Sequence, residues 1–542
     1  MNYLPKSLAV GFVLATFAAS SVLAAGKHPV TGEALADDQT FTYSVLDEFT
    51  TADPQLVEDV EGSWFVRDLF EGLMNQDADG NLIPGVATGY TTNEAKDVYT
   101  FTLRKNAKWS DGNPVTAHNF VYAWRRLADP ATASPYSWFA DIMALENVGA
   151  VMSGESPPEA LGVRALDNHT LEVRLTASLP YFAAMTTHAS TFPSPEWTVR
   201  TFGDDWTKPG NIVGNGAYIL TEHIPNETAT RERNSWYWNN DATIIDKVVT
   251  LVINDENTDF TRWEAGETDR GAVPSGQYPR LKAQYPDEAI SFPRLCTYYM
   301  TFNLSPGGPE AFKDVRVRQA LSYALDRSVV TDKVLQGGQI QAFTFTPGAT
   351  AGFEVPAVAF GQMSQDERNA KAKELMAAAG YGSDNPLKFE YLYNTSEGHK
   401  KIAIAAQQMW KETLGVEATL ANQEWKTFLK TRGGQNFDVA RGGWCGDYNE
   451  ASTFLDLMTT PSGYNDGKFS NDEVDELMTS ARTMSDATAN YTRVEEIMAN
   501  EMPIIPVYHY TGVFMLRNNV KGWPFNNVEQ NIYSRDLYKV AD

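Results

Sequence analysis

The run FDVARGGWCGDYNEAST, residues 437–453, decides how the rest of the chain is read. FDVA is β-rich and apolar on alternate positions, the signature of the end of a buried strand. Gly442 and Gly443 then remove side chains from the backbone, so that another chain can come close to it. Trp444, Cys445 and Asp447 follow within four residues. A carboxylate beside an indole at a glycine-opened strand end can hold an ammonium group by charge and cation–π attraction. The same run also fits a plain strand-to-loop turn with a solvated Asp447 and a core Trp444. The choice between the two rests on the remaining sequence.

Around this run strands and helices alternate. CTYYMTFNL from Cys296 reads as an aromatic strand, and DVRVRQALSYALDR as a helix burying Val317, Ala320, Leu321, Ala324 and Leu325. A capping box, Ser364 with Glu367, opens another helix that Gly380 closes as its C-cap. LKFEYLYN (387–394) is a strand, KKIAIAAQQMWKETLG a helix, and VEATLANQEW a strand ending at Trp425. This alternation predicts an α/β lobe with a largely parallel sheet.

The N-terminal half is richer in antiparallel signals. FTYSV (41–45), YTFTL (99–103) and HTLEVRL (169–175) alternate, and Thr116 N-caps a helix with Phe120, Trp124 and Leu127 on one face. NIVGNGAYIL (211–220) reads as a glycine-bent strand, the aromatics of ERNSWYWNN as core, and VVTLVIN (248–254) as a buried strand before a short helix in TRWEAGETDR. Asp77, Asp79 and Asn81 imitate a calcium loop. However, Leu82 stands where the loop needs glycine and Thr88 where it needs a bidentate Glu, so DADGN is a hairpin turn.

At 542 residues the chain can hold two or three domains. Its net charge of −25 argues against nucleic acid and anionic membranes as partners. Lys6, the apolar stretch LAVGFVLATFAASSVLA and the triplet Val22-Leu23-Ala24 predict a signal peptide over residues 1–24, cleaved before Ala25. No later apolar run approaches the roughly 20 residues needed to span a bilayer. An exported, soluble protein is expected. Its two cysteines, Cys296 and Cys445, suggest one disulfide, contributing up to about 5 kcal/mol in the chain-entropy model, with two buried thiols as the alternative. The sequence has no HExxH, GxSxG, GxxxxGK[ST] or post-strand GxGxxG. Nothing calls for a metal, a cofactor or a catalytic residue, although paired carboxylates distant in sequence would escape this search.

Several runs together resemble one family, the peptide-binding solute receptors of bacterial ABC importers, and most closely its periplasmic oligopeptide-binding members. The runs are RDLFEGLMNQDADGNLIPGVA, FTLRKNAKWSDGNPVTAHNFVYAWRR, NGAYIL, FKDVRVRQALSYALDR and WCGDYNE, in family order over nearly the whole mature chain. DPATASPY, LCTYY, LYNTSEGHKK and NQEWKTFL strengthen the match. The resemblance implies an α/β fold of two lobes around a ligand cleft, with an additional third domain. Carried over, lobe I takes residues 25–71, 196–295 and 511–542, the additional domain 72–195 and the distal lobe 296–510. It also implies that Cys296 and Cys445 are bonded beside the ligand.

Under this resemblance Asp447 binds a peptide's α-ammonium, and Gly443 and Cys445 pair through their backbone with an extended ligand strand. Trp425, Trp444 and Tyr136 line side-chain pockets. Arg441, Arg432 and His399 receive the ligand carboxylate, and Glu58, Val60 and Tyr510 face the ligand. Leu335 departs from the pattern, standing where well-known oligopeptide binders carry a Lys. The implied protein is a monomeric periplasmic receptor that passes short peptides to an inner-membrane ABC permease and catalyses nothing. A murein-tripeptide receptor of the same family and a periplasmic peptidase are the alternatives.

Overall fold

The computed structural model describes residues 26–541; the expected signal peptide lies outside them. One 11-stranded sheet runs through both lobes. Five strands form its first-lobe end, in the spatial order Tyr218–Ile224, Thr228–Arg233, Lys247–Val252, Thr40–Val45 and Arg270–Ala272. Val439–Cys445, Lys388–Asn394 and Glu417–Gln423 form the distal end.

Two long strands, Ala289–Phe302 and Ile504–Leu516, join the ends by crossing from one lobe to the other. They pair antiparallel throughout, but their register shifts between Pro293 and Thr297. Such an irregularity lets a ladder bend where the lobes meet. A separate antiparallel sheet of four strands, Ala87–Thr92, Val98–Leu103, Thr170–Arg174 and Val163–Asp167, builds the additional domain. The two-lobed α/β fold with an added domain is therefore observed.

Local chemistry explains the elements around the cleft. Helix Glu397–Leu414 starts at Ser396, whose hydroxyl accepts from the His399 N–H. It buries Ile402, Ala403, Ala406, Trp410 and Leu414 at helical spacing, and Gly415 ends it at φ +70°. The Ser364–Glu367 capping box is present, and Met74–Gln76 pairs with Leu82–Pro84 as the expected hairpin.

Several expectations are corrected. The distal sheet is mixed: Lys388–Asn394 is parallel to both its neighbours, but Val439–Cys445 is antiparallel to the crossing strand. VEATLANQEW leaves the sheet at Gln423, because Glu424 caps a helix that begins at Trp425. The glycine-rich 211–217 is not strand; Gly214 and Gly216 press against the Leu69 backbone, where a Cβ would collide. In ERNSWYWNN only Tyr237 is core, and Trp236 is 45% exposed. Ala379, not Gly380, is the C-cap of its helix, with Gly380 just beyond at φ +88°.

Candidate ligand-binding cleft

Between the lobes lies a chamber of about 410 Å3, adjoined by a second of about 240 Å3 that shares walls with it, among them Tyr510 and His399. All twelve residues singled out in the sequence line the larger chamber. They arrive from the helix start at Glu58 and Val60, from Tyr136 of the additional domain, and from the distal strand and helices.

Strand Val439–Cys445 presents an open edge to this chamber. On one side it pairs with the crossing strand along its whole length, from Cys296↔Cys445 to Phe302↔Val439. On the other it pairs only through Val439 and Ala440 with Tyr391 and Leu392. Cys296 and Cys445 are bonded directly across the ladder with Cα atoms 4.0 Å apart, the close spacing of a non-hydrogen-bonded pair. By alternation Gly443 and Arg441 are of the same kind, so their N–H and C=O groups, like those of Cys445, turn away from the crossing strand toward the open edge. The glycines have a second role. A Cβ on Gly442 would collide with the Tyr299 ring, and one on Gly443 would lie 2.8 Å from Arg441 Nη2, so both make room for the protein's own side chains.

Asp447 stands at one end of that edge, 8% exposed. Its N–H donates to Thr453 Oγ1 at 2.9 Å. Oδ1 meets the Tyr136 hydroxyl and His188 Nε2, each at 3.4 Å, while Oδ2 is buried with no partner. Burial pushes the Asp447 carboxyl well above the usual range, against the Tyr136 bond. Burial, helped by Arg67, holds His188 well below its ordinary pKa, so that ring is neutral. Asp447 therefore lacks a cationic partner. Rings enclose it: Tyr136 stacks on His188 at 4.9 Å, and Trp444, Trp138 and Tyr464 lie 5.2 to 5.9 Å apart.

Toward the other end Arg441 donates from Nη2 to the Tyr510 hydroxyl at 2.8 Å, lies over the Tyr298 ring, and leaves Nε buried and unpartnered. No carboxylate pairs with it among the described residues. Arg432 differs, since its Nε donates to Asp466 Oδ2 at 2.6 Å. His399 is held well below its usual pKa by burial and by Arg441, so it faces the chamber as a neutral ring. Glu58 accepts from the Tyr464 hydroxyl at 3.0 Å, a bond that spans the cleft.

Sequence reading missed His188, Tyr464 and Asp466. Each is placed by a contact with a segment distant in the chain, His188 with Asp447, Tyr464 with Glu58 and Asp466 with Arg432, which no local pattern signals.

Residues 81–466 match the model of the bacterial extracellular solute-binding proteins, family 5. The chain belongs to this family. It is 45% identical to the periplasmic murein peptide-binding protein MppA of Escherichia coli over 94% of this chain and 95% of that one. It is 42% identical to the periplasmic oligopeptide-binding protein OppA of Escherichia coli over 99% of both. The solved structure of the murein tripeptide binding protein MppA superposes with a TM-score of 0.91 at 44% identity, covering 94% of this chain and all of that one. The unliganded open form of MppA, covered to 94% and 98%, gives only 0.68 at the same identity. Haemophilus influenzae OppA in complex with RPPGFSPFR gives 0.89 at 39% identity, over 94% of this chain and all of that one. The lobes of this solute-binding protein are thus set as in the first MppA structure and unlike the open form. No helix among the described residues is long and apolar enough to cross a membrane.

Proposed function

We propose that this family 5 solute-binding protein is the periplasmic receptor of an ABC peptide importer and takes short peptides as an added strand. The observation that carries the reading is the open edge at 441–445, with a carboxylate that has no cationic partner at one end and a guanidinium that has no carboxylate partner toward the other. The ligand's α-ammonium meets Asp447, its backbone pairs with Gly443 and Cys445, and its carboxylate meets Arg441. Trp425, Trp444 and Tyr136 wall the side-chain pockets. Arg432, already neutralised by Asp466, and the neutral His399 shape the carboxylate end without adding free charge. Main-chain pairing is the same for every peptide, so the site binds strongly while reading side chains weakly. Capture proceeds by lobe closure about the crossing strands, and a monomer delivers the peptide unchanged to an inner-membrane permease.

The experiment is calorimetric titration of trialanine and its N-acetyl form. Removing the ammonium should weaken binding at least about 30-fold, the low end of the 2–5 kcal/mol expected when one partner of a buried charge pair is lost. Equal affinity for the two would sink the reading. Recovery of trialanine intact after incubation separates a receptor from a peptidase.

A second reading, a murein-tripeptide receptor, is favoured by the MppA match, the more identical of the two sequence relatives described. Mass spectrometry of ligand released by denaturing the purified protein decides between them: a diaminopimelate-bearing tripeptide supports the second, mixed peptides the first.

A further inference from the structure

Where the two chambers share walls, two arginines keep buried N–H groups that no acceptor in the protein fills. Arg294 lies on the crossing strand within the register shift between Pro293 and Thr297, and it lines both chambers. Its Nε and Nη2 are withdrawn from solvent and have no hydrogen-bond partner. Arg270, which also lines both, gives Nη1 to the Ser44 carbonyl at 3.0 Å and leaves Nε buried and unpartnered. Both guanidinium groups lie within 6 Å of the Trp64 ring, at 5.5 and 5.8 Å. Neither forms an ion pair among the described residues. Asp259 is the carboxylate that acts most on Arg270, and Glu61, which burial and then Asp59 hold above its usual pKa, acts on both. Burial lowers the pKa of Arg294, and the neighbouring Arg270 adds to the effect.

A buried guanidinium with bare N–H groups costs free energy until an acceptor fills them, and the carboxylate is the acceptor whose two oxygens match the fork. Because these N–H groups are themselves buried, such a contact is screened less than one at the surface. We propose that Arg294 and Arg270 form a second carboxylate-receiving site at the seam of the chambers. It takes either an acidic side chain of the ligand or the terminal carboxylate of a ligand that runs past Tyr510. The proposal rests on the peptide reading above and adds a preference to it.

The test uses three ligand pairs, each differing by one carboxylate: Ala-Glu-Ala with Ala-Gln-Ala, Ala-Ala-Glu with Ala-Ala-Gln, and pentaalanine as free acid with its C-terminal amide. Affinities are measured for the wild type and for the double variant Arg294→Gln, Arg270→Gln. The wild type should favour the carboxylate of at least one pair by about tenfold, and the double variant should lose that preference while binding trialanine within about twofold of wild type. A Glu/Gln difference assigns the site to side chains, and an acid/amide difference to chain ends. A preference that persists in the double variant belongs to Arg441 and overturns the proposal. So does an equal loss for every ligand, which would make the arginines supports of the crossing strand. Peptide binding with no charge preference overturns this proposal alone, whereas no binding by any peptide overturns the receptor reading too.

Discussion

Two buried acids, Asp68 in the first lobe and Asp447 in the cleft, have opposite surroundings. Asp68 is 3% exposed and closed on every side. Its Oδ2 lies 3.0 Å from Arg231 Nη1 and accepts from the Ser534 hydroxyl at 2.8 Å, while Oδ1 accepts from the Ser534 N–H at 3.0 Å. Asp447 is nearly as buried but faces a neutral histidine and a tyrosine, with one oxygen bare. The first arrangement ties residues 68, 231 and 534 into one lobe, a structural use of charge. The second is tolerated because burial favours the protonated carboxyl where no cation forms an ion pair with it. A buried charge that lacks its partner in the protein marks where a ligand supplies one.

Substituting both acids with their amides breaks or sharpens this contrast most strongly. Asp68→Asn strands the Arg231 guanidinium and should cost about 3–5 kcal/mol of folding stability, read by denaturant unfolding. Asp447→Asn should leave stability at neutral pH unchanged or slightly raised, because it removes a carboxyl that burial already disfavours. Trialanine binding should instead fall by about 2–5 kcal/mol. If Asp447→Asn unfolds the protein as Asp68→Asn does, the two acids are alike and the contrast is gone.

Arg432 and Arg441 repeat the comparison with cations at a smaller scale. Arg441→Gln should weaken peptide binding by about 1.5–3 kcal/mol, the worth of a hydrogen bond to a charged group, and leave thermal unfolding nearly as it was. Arg432→Gln leaves Asp466 without its partner and should lower the unfolding midpoint more than the affinity. The reverse assignment would make Asp466 a switchable counter-ion and Arg432 the carboxylate anchor.

Most of the cleft's composition was legible in the sequence, and its wiring was not. The run at 437–453 located the strand, the bonded cysteine and the acid, because these sit side by side in the chain. The twelve residues drawn from the family pattern all reached the chamber wall. What separates Arg441 from Arg432 is Asp466, and what keeps Asp447 unpaired is a histidine held neutral by burial. Both depend on packing between distant segments, which local pattern does not encode. Beside the ligand approach read from the sequence, Gly442 and Gly443 also make room for Tyr299 and Arg441, which only the packing reveals. The sheet reads as parallel from strand–helix alternation, but the crossing strand enters from the other lobe and reverses the order at Cys296.

The smallest expected effect is also the most diagnostic of the unpaired acid. In the free protein burial holds the Asp447 carboxyl well above its ordinary pKa. Pairing with an ammonium favours the ionised form, so below the free-state pKa binding must expel a proton. Affinity should then decline as pH falls through that raised pKa, by up to about tenfold per unit, and should level off above it. Above roughly pH 8 the peptide's own α-amine loses its charge and affinity declines again. Glu529 and Asp47, both pushed up to about 7 by burial, share the chamber and add pH dependence of their own. Asp447→Asn isolates the contribution: its residual binding should lose the acidic limb while keeping any slope due to the other two. An acidic limb that survives unchanged in Asp447→Asn would move the proton, and with it the ammonium, to Glu529 or Asp47.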